Sequence, residues 1–235
     1  MMMAKVYCVQ LVSLLGVDML FQDVDIVWYK NPLDFFHNKD SPIYFYDMYY
    51  QDDGSHSTRY APWAPNSGFY YVRQNERTKH FLTSLLMSGD LVLKTFSHQQ
   101  AMTAVLAEHA SLFGLRVKVL SRDEDDFPGG YHFHRKNGEF LRDMFAGTRK
   151  PYIFHMSWTK NKDNKLLFMR QMGEWYLQEK CVAKTFSEIP GSEKGNFVEN
   201  CCSKDALITC HYRDKPSIKP CKDSPTLDKG KASWW

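Results

Sequence analysis

Apolar residues at Val6, Val9 and Val12, with Leu11 and Leu15 beside them, recur at helical spacing from Met1 to Leu15. Gly16 then stands where a helix ends in the left-handed conformation. From Val17 to Phe21 the pattern becomes that of a short buried strand, which runs into Gln22-Asp23-Val24-Asp25. Ile26-Val27-Trp28 follows, and Asn31-Pro32 closes the segment. Between Asp34 and Pro65 no period holds, and the aspartates, tyrosines and prolines (Pro42, Pro62, Pro65) predict loops with short strands. Gly68-Phe69-Tyr70-Tyr71-Val72 reads as a strand. Asn75 suits the N-cap of a helix with Phe81, Leu82, Leu85 and Leu86 on one face, stopped by Gly89. A second helix is expected from His98 to His109, with strands over Leu115 to Leu120 and Pro151 to Phe154. Asn164 is expected to cap a last amphipathic helix through Leu166, Leu167, Met169, Met172 and Tyr176.

Helices and strands alternate, which predicts an α/β domain with a mixed, mostly parallel sheet flanked by helices. From about Ser187 the chain turns to Lys, Ser, Pro and Gly with little apolar period, so the domain is expected over 1–186 and an irregular tail over 187–235. Cysteines support this division. Cys8 lies in the first apolar run, whereas Cys181, Cys201, Cys202, Cys210 and Cys221 crowd the last quarter. Their uneven spacing lacks the paired C-x2-C pattern of zinc sites and fits a loop-rich tail held by disulfides in an oxidising compartment, with one thiol left over. A reduced tail is the competing reading.

The 235 residues are 43% apolar and 24% charged, which places the chain among globular proteins, and the net charge of +3 argues against nucleic acid as a partner. The most apolar stretch, Val6 to Trp28, contains Asp18, Asp23 and Asp25. Each carboxylate costs about 2.5–3.5 kcal/mol at the centre of an inserted helix, which excludes a transmembrane span there. Lys5 ahead of an apolar run imitates a signal peptide, but no small-x-small cleavage site follows. The acidic run Arg122-Asp123-Glu124-Asp125-Asp126 reads as a solvated loop, and Gly129-Gly130 with Tyr131-His132-Phe133-His134 as a flexible one.

Asp23-Val24-Asp25 carries the sharpest chemistry. Two carboxylates at i and i+2, at the exit of an apolar strand, point to the same side. In α/β sheets the crevice beyond the carboxyl ends of the strands is where ligands bind, and hard oxygen ligands there suit Mg2+ or Mn2+. Alone, the pair reads equally as two aspartates capping a strand end.

The segment from Gly16 to Leu33 resembles the metal-binding signature of nucleotide-diphospho-sugar transferases, GT-A-fold enzymes, and is most similar to glycosyltransferase family 77, with its strand, D-x-D, apolar-Trp and Asn-Pro. Asn66-Ser67-Gly68-Phe69, with Tyr71 and Arg73, looks like that family's N-[ST]-G turn. Ser97-His98-Gln99-Gln100 falls where the family has Asp-Gln, and His155-Met156-Ser157-Trp158, Lys165 and Gly173-Glu174-Trp175 look like its closing stretch. The resemblance implies that Asp23, Asp25 and His155 hold Mn2+ (or Mg2+) against the donor diphosphate, with Asp25 and Gln99 as catalytic residues. It further implies that Lys165 neutralises a phosphate, and that Asn66, Ser67 and Gly68 line the sugar.

Two departures stand out. His98 occupies the place of the family's Asp, and the family's first βαβ unit has no counterpart ahead of Met1, so an N-terminally incomplete chain is expected. The function implied is a metal-dependent, retaining glycosyltransferase that moves a sugar from a nucleotide-diphosphate donor, a UDP-sugar, to a hydroxyl of a glycan or glycoprotein. Its implied place is the Golgi lumen, as a type II membrane protein whose anchor would lie in the missing segment. The competing function is a non-catalytic glycan-binding fragment or pseudoenzyme of the same fold; a metal-dependent hydrolase ranks behind both.

Overall fold

Eight consecutive buried positions, Pro65–Val72, form the strand around which the first part of the chain folds. The computed structural model describes residues 2–204, apart from 56, 122–123, 131–148, 160, 172–173, 183 and 190–194. The chain divides into two compact units, Met1–Tyr131 with Lys150–Ser157, and His132–Arg149 with Trp158–Trp235. Described elements of the first unit are α1 (Met2–Ser13), β1 (Met19–Gln22), β2 (Ile26–Trp28), α2 (Pro32–Phe36), β3 (Met48–Asp52), β4 (Pro65–Val72), α3 (Glu76–Met87), α4 (Gly89–Thr95), α5 (His98–Leu112), β5 (Val117–Leu120) and β6 (Ile153–His155).

The main sheet runs β1-β4-β3-β5, and β2 pairs with β6 apart from it. The mixed α/β architecture expected of a GT-A-like fold is present, but parallel pairing does not dominate. β1–β4, β4–β3 and β2–β6 are antiparallel, and β3–β5 is the parallel pair among the described strands. The reason lies in the connections. A parallel neighbour requires a long crossover. β3 instead returns to β4 through the loop 53–64, while the helices α3 to α5 carry the chain from β4 across to β5.

Alternation along the strands explains the tyrosine-rich run. Met48, Tyr50, Tyr70 and Val72 face one layer, packing with Val6, Val9, Phe81, Leu82, Leu85, Met102 and Leu106. Tyr49, Phe69, Tyr71 and Leu120 face the other, against Phe36, Phe127 and Ile153. With both faces covered, the central strands need no polar side, which is why they read as continuous apolar runs.

Most expected elements are present, with three local differences in the first unit. Asn31-Pro32 does not only close a segment; it opens α2. The Asn31 side chain accepts from Leu33 N at 3.1 Å, and Pro32 supplies a fixed φ and no N–H where a helix start needs none. α3 has the expected Asn75 cap, closed as a capping box with Thr78, but ends at Ser88, and Gly89 begins α4. Asn66-Ser67-Gly68 is not a turn. It lies within β4, where the register with β3 shifts: Tyr50 faces Tyr70, yet Gln51 faces Asn66. Ser67, Gly68 and Phe69 are therefore bulged out of that ladder, and a bulge re-aims what it carries.

The second unit holds α6 (Lys162–Gln171) and α7 (Phe197–Cys201) among its described elements. The cap of α6 is Asn161 rather than Asn164: its side chain accepts from Asn164 N at 2.9 Å. Cys181 and Cys201 form a disulfide, buried with Ile189 and flanked by Leu177 and Phe197, as the disulfide reading of the tail expects. Gln178 N donates to Cys201 O and Ser203 N to Tyr176 O, both at 2.8 Å. Cys210 and Cys221, the loop at Tyr131 to His134, Arg122, Asp123, Met172 and Gly173 lie outside the described residues. No helix among the described residues is long and apolar enough to cross a membrane.

Candidate metal and donor site

β1 and β3 both run antiparallel to β4, so their carboxyl ends lie together at one end of the sheet. Asp23-Val24-Asp25 leaves β1 at that end. Asp23 N donates to Gly68 O at 2.7 Å, and Met156 N donates to Asp25 O at 2.9 Å, which ties the segment to both β4 and the end of β6. The i, i+2 geometry is as expected: Val24 is fully exposed at 103%, while both aspartates are half-buried. Pairing of β2 with β6 sets Ile26 opposite His155 and brings the imidazole to the carboxylates. One ligand atom each of Asp23, Asp25 and His155 lies within 4.8 Å of the others, and His155 Nε2 is 3.5 Å from Asp25 Oδ1.

His155 is 2% exposed, and its ring is fixed by a residue that sequence reasoning missed. Gln51 Nε2 donates to Phe127 O at 3.0 Å and to Pro128 O at 2.8 Å. Both carbonyls can only accept, so the amide's orientation is set and Oε1 turns to His155 Nδ1 at 2.7 Å. An acceptor there fixes the proton on Nδ1 and presents Nε2 to Asp25, the arrangement by which a second residue orients a metal-binding histidine. The signal was in the chain: Gln51 is a polar residue directly after the apolar run Met48-Tyr49-Tyr50 of a central strand.

Gly68 explains the bulge. A Cβ built there would stand 2.6 Å from His155 Cε1, 2.9 Å from Asn66 Oδ1 and 2.9 Å from Asp23 Oδ2. Only glycine lets β4 approach the cluster this closely. Asn66 is internally bonded: its Nδ2 donates to Asp53 Oδ1 at 2.9 Å and its Oδ1 accepts from Gly68 N at 2.7 Å. Gln99, in the first turn of α5, accepts at 3.0 Å from both the N–H and the hydroxyl of Ser67. Thus the structure brings Asp23, Asp25, His155, Gly68, Asn66, Ser67 and Gln99 to one region, with Asn66 and Ser67 hydrogen-bonded around the bulge. Lys165 belongs to the second unit, on α6.

Two further residues border the aspartates. Lys5 of α1, read from sequence only as a leader-like charge, forms an ion pair with Asp23. His98 has a buried Nε2 with no hydrogen-bond partner among the described residues; burial, together with the nearby Lys5, pushes its imidazole below the ordinary histidine pKa against the opposing pull of Asp23.

The donor set fits a divalent cation. Two hard carboxylates and an oriented imidazole nitrogen converge within 4.8 Å, the ligand chemistry such an ion takes, and Gly68 keeps the approach clear. No curated protein matches the chain. The family model described as nucleotide-diphospho-sugar transferase matches residues 1–169, which include every residue of this cluster. The chain belongs to the nucleotide-diphospho-sugar transferase family and is a glycosyltransferase.

Proposed function

We propose that the chain transfers a sugar from a UDP-sugar to a hydroxyl of a glycan or glycoprotein, with Mn2+ (or Mg2+) held by Asp23, Asp25 and His155. The observation that carries this reading is the convergence of those three ligand atoms within 4.8 Å at the carboxyl ends of β1 and β3. A divalent ion bound there supplies charge neutralisation to the departing diphosphate. The chain's own residues do the rest. Gln51 orients His155, Gly68 admits the donor beside the aspartates, and Gln99 holds Ser67 and with it the bulge. Asp25 and Gln99 are the catalytic candidates. Lys165 is assigned to phosphate, and Asn66, Ser67 and Gly68 to the sugar, on the family resemblance.

The same resemblance supports membership of family 77 and retention of anomeric configuration, in which the departing phosphate oxygen takes the acceptor's proton. A luminal location in the Golgi is supported by the Cys181–Cys201 disulfide, which an oxidising compartment preserves. Calorimetric titration of UDP with and without Mn2+, with GDP as the comparison, tests the donor. UDP binding that requires Mn2+ is expected; equal binding in its absence would contradict the reading.

A further inference from the structure

We propose that Lys5 binds the donor's diphosphate, exchanging the Asp23 carboxylate for a phosphate oxygen when Asp23 takes a divalent ion. The inference rests on the metal reading above and adds a residue to it. Lys5 Nζ is in contact with Asp23 Oδ1, and it sits 5.7 Å above the Phe21 ring, so the ammonium already has a carboxylate on one side and a π-face on another. Its backbone is held: the neighbouring Val6 and Val9 are in the core beneath α1. Its side chain is 32% exposed, and four methylenes let the charge swing while the helix stays fixed.

Geometry brings a phosphate to it. Two ligands at right angles on one ion with bonds of about 2.1 Å stand about 3 Å apart. A diphosphate oxygen sharing an ion with Asp23 therefore comes within a short swing of the nitrogen that now touches Oδ1. Lysine suits the exchange, because a compact ammonium follows an anion without the fixed fork geometry of a guanidinium. Lys5 is thus a cation that the first unit itself delivers to the aspartates.

The two halves of the exchange have opposite signs, which separates them from a merely structural role. Mn2+ alone, and then inorganic pyrophosphate at saturating Mn2+, are titrated calorimetrically into wild-type, K5M, K5R and D25N chains, with circular dichroism reporting the fold. K5M is expected to bind Mn2+ at least about threefold more tightly, since Asp23 is no longer shared, and pyrophosphate about tenfold more weakly. K5R, which keeps the charge, is expected to hold pyrophosphate within about threefold of wild type. If K5M does not fold, K5Q takes its place. Weaker binding of both probes in the neutral variant, or unchanged pyrophosphate affinity, would overturn the assignment of Lys5. Mn2+ isotherms that are the same for wild type and D25N would instead overturn the metal reading on which it rests.

Discussion

Asp47 and Asp23 flank the same sheet at opposite ends, one just before β3 and the other just after β1, and their surroundings are built to different purposes. Asp47 is 1% exposed and meets two guanidiniums: Arg77 Nε and Nη2 at 2.9 and 2.8 Å, and Arg116 Nε and Nη2 at 3.2 and 3.0 Å. Arg116 N and Asn75 Nδ2 add two more donors at 2.9 and 3.0 Å. Burial alone would raise its pKa, but the hydrogen bonds from Arg77 and Arg116 outweigh it and hold the carboxyl well below the usual range. At the other end two carboxylates converge on an imidazole, on half-exposed ground, beside a glycine that keeps the approach open. A carboxylate outnumbered by cations pins elements together. Carboxylates gathered against one another are poised for a cation from outside.

Breaking the pin gives the largest effect on stability. D47N is expected to destabilise the fold by about 2–4 kcal/mol, less than the loss of a fully buried pair because Arg77 and Arg116 keep much of their side chains in water. Chemical unfolding measures it. The pH dependence follows in sign. The folded pKa lies below the unfolded value, so the Asp47 contribution is present above about pH 4 and is lost as the pH falls below it. D47N unfolding should therefore depend less on pH between 4 and 2 than wild type.

At the site, G68A is expected to abolish Mn2+-dependent nucleotide binding and to cost about 1–3 kcal/mol of stability, since the added carbon would meet His155 and Asp23 below 3 Å. A Q51M chain tests the oriented imidazole. Its Mn2+ affinity should fall about tenfold, and nitrogen NMR of His155 should show the Nδ1–H form of the wild type replaced by a mixture. Unchanged His155 resonances in Q51M would remove Gln51 as a positioning residue.

What could be read from the chain was local. The Asn75 cap, the left-handed Gly16 and the alternation of the D-x-D pair all follow from near neighbours or backbone sterics. What could not be read depends on pairing. Gln51 gains its meaning from His155, 104 positions away, and Lys5 from Asp23 across the turn from α1 into β1. The bulge at Ser67–Phe69 is a mismatch between two strands, so neither strand alone announces it. The balance of parallel and antiparallel pairs is hidden for the same reason: alternation of helix and strand says nothing of a strand such as β4 that returns through a loop.

On the proposed reading, the Asp23 end of the sheet binds a divalent ion and the Asp47 end does not. Calorimetric titration of Mn2+ into wild type, D25N and D47N separates the two ends. One site in the wild type, lost in D25N and kept in folded D47N, is expected. A Mn2+ isotherm that survives D25N unchanged would overturn the assignment.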